Sequence, residues 1–132
     1  MRVVYDTSVL VTIFARRGEI LKFKGDVLTG QVTPITSNYI LEELTEVLSS
    51  KFQFTKQRAK SHARLFARVA MVVSPQTIEQ VGRDPHDYPI LAAAVEGKAD
   101  YIVTLDNDLL LLKEHSGIRI ITPAELMKLQ AA

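Results

Sequence analysis

The chain has 132 residues, 47% of them hydrophobic and 23% charged, with a formal net charge of +1. That is the size and balance of one soluble globular domain, residues 1–132, able to bury a core without a disulfide or structural metal. The lack of cysteine excludes disulfides and thiolate zinc sites and fits a reducing cytoplasm.

The first predicted strand is Arg2 to Tyr5, and Asp6 interrupts any export-signal apolar region before it begins. Helical patterning follows, with Gly18 and Gly30 as the expected ends of two early stretches. Val32 to Ile35 reads as the second strand, rich in β-branched residues. Ser37-Asn38 then opens a helix whose apolar stripe is Ile40, Leu41, Leu44, Val47 and Leu48. A basic helical segment leads to the third strand, Ala70 to Val73. The longest apolar run, Ile90 to Val95, is far short of the ~20 residues that span a bilayer, so no membrane partner is expected. Tyr101 to Leu105 and Arg119 to Ile121 complete five strands, and Thr122-Pro123 opens the last helix. Strands alternating with helical segments of roughly 8 to 16 residues predict an α/β fold. The expected architecture is a three-layer α/β/α sandwich with a mainly parallel five-stranded sheet. No repeat, low-complexity tract or linker divides the chain.

Charge is distributed unevenly. No acid occurs between Val47 and Ile78, whereas Lys51, Lys56, Arg58, Lys60, Arg64 and Arg68 are all basic, so the rest of the chain is net acidic. A basic region can attract phosphates while an acidic site holds cations. Lys56, Lys60 and Arg64 recur at helical spacing and are the candidates for substrate contact, the alternative being a solvated helix face.

Two acids, Asp6 and Asp106, fall at the carboxyl ends of predicted strands, where an open α/β sheet forms its ligand crevice. Each also precedes a helical pattern, in Asp6-Thr7-Ser8 and Asp106-Asn107-Asp108, so helix capping explains either one alone equally well. In the helix after Ser37, Glu42 and Glu46 point nearly opposite the apolar stripe, while Glu43 falls on its margin and is costly to desolvate unless a cation or donor meets it. Asp87 is in phase with Ile90, Leu91 and Ala94 and is preferred over Asp84 for that reason, although Pro89 leaves room for Asp87 to be a cap. Four acids within about 5 Å of one another would repel by roughly 3 kcal/mol per pair at an effective dielectric near 20. A hard divalent cation removes that repulsion, and oxygen ligands suit Mg²⁺ or Mn²⁺ better than Zn²⁺. Such a site can activate water and stabilise charge on a phosphodiester.

The other motif classes lack their defining parts. His62, His86 and His115 have no i, i+4 metal spacing and read as surface or capping residues. There is no Ser-His-Asp order, phosphate-cradling glycine loop or dinucleotide fingerprint. An aspartyl-phosphate phosphatase would want a second aspartate where Ser8 stands, and a phosphoacceptor signalling domain would want a different placement of acid and lysine.

These segments together resemble the PIN-domain family, in particular the bacterial branch assigned to toxins of type II toxin-antitoxin pairs. The resemblance lies in Val4-Tyr5-Asp6-Thr7-Ser8-Val9-Leu10, Glu42-Glu43-Leu44, Asp84-Pro85-His86-Asp87, Ile102-Val103-Thr104-Leu105-Asp106-Asn107-Asp108-Leu109 and the closing Gly117-Ile118-Arg119-Ile120-Ile121-Thr122-Pro123. It implies a ribonuclease in which Asp6, Glu43, Asp87 and Asp106 hold Mg²⁺ or Mn²⁺ and cut RNA to leave a 5′-phosphate and a 3′-hydroxyl. Asp6 and Asp87 would hold the principal cation, and Glu43 and Asp106 would complete the cluster and orient water. Asp108 is a fifth candidate, and Thr104 matches a small hydroxyl residue lining the site. His86 stands where this branch often carries another acid, a departure that bears on a second cation and not on the first. An antitoxin protein and a second copy in a homodimer are the partners the resemblance implies. The competing expectation is a catalytically inactive module of the same fold that binds RNA or protein.

Overall fold

In chain order, the computed structural model of residues 1–132 contains β1 (Arg2–Tyr5), α1 (Thr7–Ala15), α2 (Arg17–Leu28), β2 (Thr33–Ser37), α3 (Asn38–Lys51) and α4 (Lys56–Val69). There follow β3 (Met71–Val73), a 3-10 turn (Pro85–Asp87), α5 (Tyr88–Glu96), β4 (Tyr101–Val103), α6 (Asn107–Leu112), β5 (Glu114–His115), β6 (Ile118–Ile121) and α7 (Pro123–Ala131). The sheet order is β3-β2-β1-β4-β6-β5, with every pairing parallel except that of β5 with β6. Val3 and Val4 are fully buried in β1, and Ile102 and Val103 in β4, as expected of central strands covered on both faces.

The register separates the two faces. Val4 pairs with Ile35, so the next residue, Tyr5, points to the opposite side. On that side the Tyr5 ring meets Phe23 of α2 edge-on, and Phe23 packs in turn against Phe66 of α4, which also meets Phe14 of α1. On the Ile35 side lies the C-terminal end of α5, where a Cβ on Gly97 would sit 2.6 Å from the Ile35 Cγ2. Only glycine lets this helix end approach the sheet so closely. No helix is long and apolar enough to cross a membrane.

The sheet has six strands, one more than the five expected. The additional strand, Glu114–His115, is too short and too polar to carry a β-branched or alternating signal. It is paired by a two-residue hairpin in which Ser116 and Gly117 both take positive φ, the geometry that a tight antiparallel turn requires. Gly18 does not end a helix. The break comes earlier, at Arg16, whose extended backbone (φ −124°, ψ 123°) separates α1 from α2, and Gly18 lies exposed in the first turn of α2. Gly30 follows the end of α2 at φ +76°. Ser37 accepts from the Ile40 N–H at the start of α3, and Thr122 and Glu125 form a reciprocal capping box at the start of α7.

Candidate metal centre

Parallel strands deliver their carboxyl ends, and the N-termini of the helices that follow, to one edge of the sheet. Tyr5 and Val103 are register partners on the adjacent central strands β1 and β4, so Asp6 and Thr104 emerge side by side. The Asp6 N–H extends the ladder by donating to the Val103 carbonyl at 2.9 Å. The buried Thr104 hydroxyl donates to Asp6 Oδ2 at 2.8 Å and accepts from the Asp106 N–H at 2.9 Å. Ser8 makes a second bridge of the same kind, donating to Asp6 Oδ2 and accepting from the Leu105 N–H. Two hydroxyls therefore fix the β4–α6 junction against the first acid.

Capping and acid clustering are one arrangement here. Asp6 Oδ1 accepts from the Thr7 N–H, Asp106 Oδ1 from the Asp108 N–H, and Asp84 Oδ1 from the His86 N–H. In Asp84 and Asp106 the bond to one oxygen leaves the other free. Asp87, buried at 4% exposure, makes no capping bond. One carboxylate oxygen from each of Asp84, Asp87 and Asp106 lies within 4.8 Å of the others.

Glu43 approaches from α3. It is half-buried while Glu42 and Glu46 are exposed, as its place on the margin of the apolar stripe predicts. The Thr7 hydroxyl donates to Glu43 Oε1, and the Tyr39 hydroxyl lies 3.4 Å from Oε2 and 3.1 Å from His86 Nδ1. Glu43 is thus connected to Asp6 through Thr7 and to the Asp84–Asp87 turn through Tyr39.

The electrostatics follow from burial without neutralisation. The only ion contacts in the molecule are Lys22 with Asp26 and His115 with Glu79, neither in this region. Burial raises the Asp87 carboxyl to about 7, with further contributions from Asp106, Asp84 and Asp6. Burial also raises the Asp6 carboxyl, helped by the charge of Glu43 and opposed by the bonds from Thr104, Ser8 and Thr7. An all-oxygen donor set with free lone pairs and no basic partner is what a hard divalent cation takes, so these residues could hold one.

The sequence matches the PIN domain family model over residues 2–108. The chain belongs to the PIN-domain family. PIN domains are generally nucleases, hydrolases that use divalent metals. The fold of this PIN domain is similar to that of the VapBC2 structure from Rickettsia felis, which is bound to a DNA fragment from its promoter. The TM-score is 0.60 at 15% identity, over 92% of this chain and 98% of the other. No curated protein sequence matches this one significantly.

Within this PIN domain the four acids singled out in the sequence do not contribute alike. Asp87 and Asp106 belong to the tight oxygen cluster. Asp6 lies close enough to raise the Asp87 carboxyl, but three donors already occupy its own oxygens. Glu43 raises the Asp6 carboxyl by its charge and is not part of the three-oxygen cluster. The third member of the cluster is Asp84, to which sequence phase gave second place. Phase along an α-helix says nothing about a residue that precedes a 3-10 turn, whereas the Asp84-Pro85 pair, which reads as a second possible helix start, does cap that turn. Thr7, Ser8 and Tyr39 join the site as hydroxyl partners of the acids, a role that the two hydroxyl residues directly after a strand-end acid already signal in sequence. Asp108 is half-buried and lends its N–H to Asp106. His62 is no surface or capping residue: its ring packs between Phe14 and Phe54, with centroids 5.5 and 5.4 Å away.

Proposed function

We propose that the chain is one catalytic domain, residues 1–132, that hydrolyses RNA phosphodiester bonds with the help of Mg²⁺ or Mn²⁺, as the toxin of a toxin-antitoxin pair in the cytoplasm. The observation that carries this reading is the gathering of buried and half-buried acids, none paired with a base, at the carboxyl edge of the sheet. Asp84, Asp87 and Asp106 would hold the ion through their close-set oxygens, and Asp6 would complete its surroundings. When bound, the ion supplies positive charge beside the scissile phosphate and makes a nearby water easier to deprotonate.

The chain's own residues do the remaining work. Glu43, positioned by the Thr7 and Tyr39 hydroxyls, orients the attacking water and accepts its proton. Thr104 and Ser8 keep Asp6 and Asp106 in place as charge accumulates. In-line attack forms the new P–O bond as the P–O3′ bond breaks, and the departing 3′-oxygen takes a proton from solvent, leaving a 5′-phosphate and a 3′-hydroxyl. Substrate approach is supported by the groove of about 380 Å³ between α3 and α4, where Lys60 and Arg64 of α4 face Asn38, Glu42 and Glu46 of α3. The helices run antiparallel, so Arg64 sits nearer the acid edge than Lys60 does, and Lys56 lies a turn further out.

The likeness to the Rickettsia felis VapBC2 structure supports an antitoxin as protein partner, and a homodimer is proposed with it. The decisive experiment compares RNA cleavage by the wild type and Asp87→Asn with Mn²⁺ and with chelator. The reading requires cleavage only by the wild type with Mn²⁺. Equal cleavage by both proteins, or cleavage indifferent to chelation, sinks it. A folded protein that binds RNA without ever cutting it is instead a non-enzymatic module.

A further inference from the structure

The acid cluster explains how a phosphate would be handled, but it gives no account of a cavity of about 200 Å³ that none of its acids lines and that Tyr39 connects to Glu43. This cavity opens where β2 and β3 end, between the start of α3, the segment after β3 and the start of α5. Its lining includes Tyr39, Pro75 and Pro89, with Ser37, Asn38 and Ser74 at the polar positions. Tyr39 ties it to the acids, because the residue that lines the cavity also places its hydroxyl by Glu43 and His86. Pro89 lines the cavity from α5, in the helical turn that follows Asp87.

We infer that this cavity takes one unstacked nucleobase of the RNA, from a nucleotide adjacent to the phosphate held at the acids; the inference rests on the nuclease reading above. Chemistry and size both select that occupant. The walls offer an aromatic ring and two proline rings, flat apolar surfaces suited to the face of a heterocycle. Proline has no N–H, so neither proline presents an unmet backbone donor to an apolar face. Asn38 and Ser74 are exposed, and their side chains have no hydrogen-bond partner within the protein, leaving them free for the edge of a base. The volume admits a single ring system and is too small for a helix or a strand of a partner protein. The α3–α4 groove shares Asn38 with the cavity, so a strand lying along Lys60 and Arg64 is led past it to the acids.

The test measures affinity apart from cleavage. A short single-stranded RNA carrying one abasic nucleotide, moved stepwise along the sequence, is titrated by fluorescence anisotropy against full-length Asp106→Asn in the presence of Mn²⁺. Loss of the base at one position should weaken binding about 5- to 150-fold, the range for a stacked base, and at the other positions much less. Adding Ser74→Trp, which fills the cavity from an exposed position away from the acids, should abolish that position dependence. Asn38→Ala should leave stacking intact and flatten any preference among bases at that same position. Thermal melts establish that each variant is folded. Uniform affinity across the abasic series overturns the pocket, as does an unchanged profile in folded Ser74→Trp or a failure to bind RNA at all. RNA that binds with the expected profile but is never cut by the wild type counts against the nuclease reading and leaves the pocket standing.

Discussion

Replacing Asp87 by asparagine keeps the size of a buried side chain and removes its ability to ionise. Its carboxyl titrates near 7 in the folded chain against an ordinary value of 3.8. A folded value above the unfolded one means that the group's contribution to stability is fully present below about pH 4 and disappears as pH rises through about 7. At 1.36 kcal/mol per pH unit the full contribution is about 4 kcal/mol, of which about 3 kcal/mol is lost between pH 5 and pH 8. For a domain of this size 1 kcal/mol moves the melting temperature by roughly 3 to 5 °C, so the metal-free wild type should melt about 10 °C lower at pH 8 than at pH 5. Asp87→Asn should remove its share of that difference and leave the part that comes from Asp6, whose carboxyl is raised in the same direction. Mn²⁺ at a hundred times its dissociation constant stabilises by about 2.7 kcal/mol, enough to restore the wild type at pH 8. The assay is a calorimetric or circular dichroism melt of both proteins in chelator and in Mn²⁺ at the two pH values. Identical pH dependence in wild type and variant would show that Asp87 is not held in the environment described here.

Thr104→Val retains the shape of a fully buried side chain but removes the donor to Asp6 and the acceptor for the Asp106 N–H. RNA cleavage should fall about 10- to 100-fold with the fold intact, as measured by initial rates beside a melt. Gly97→Ala drives a methyl group into Ile35 and should cost about 1 to 3 kcal/mol in urea denaturation, without altering Mn²⁺ affinity in the protein that remains folded. The Lys60→Ala, Arg64→Ala double variant should bind single-stranded RNA with a log–log salt slope shallower by about 1.4, if each side chain meets one phosphate. An unchanged slope would return both bases to the role of solvated helix surface.

Where the residues spoke through long-range pattern, the sequence was a sound guide. Val3 to Tyr5 and Ile102-Val103 announce central strands because every side chain is apolar, and parallel pairing then requires Asp6 and Thr104 to emerge together. The stripe through Ile40, Leu44 and Leu48 was regular enough to place Glu43 on its margin and Glu42 and Glu46 in solvent. What remained hidden was set locally. Glu114-His115 becomes a strand because the Ser116-Gly117 turn folds it onto β6, not because its side chains favour one. The 3-10 turn at Pro85–Asp87 breaks helical phase and brings Asp84 to the cluster. Capping and clustering looked like alternatives at Asp106, yet the bond to one oxygen leaves the other available to the cluster. The partitioning of Asp6, with three donors on its carboxylate, could not be read from spacing because two of them, Ser8 and Thr104, are hydroxyls brought there by the first turn of α1 and by the end of the neighbouring strand.

The most direct measurement is a Mn²⁺ titration by isothermal calorimetry of the metal-free protein, repeated on Asp87→Asn, Asp106→Asn and the control Glu42→Gln. Saturable binding by wild type and control, weakened at least tenfold in both aspartate variants, is the expected result. Equal affinity in all four proteins, or none in any of them, would mean that the converged carboxylates do not form a cation site.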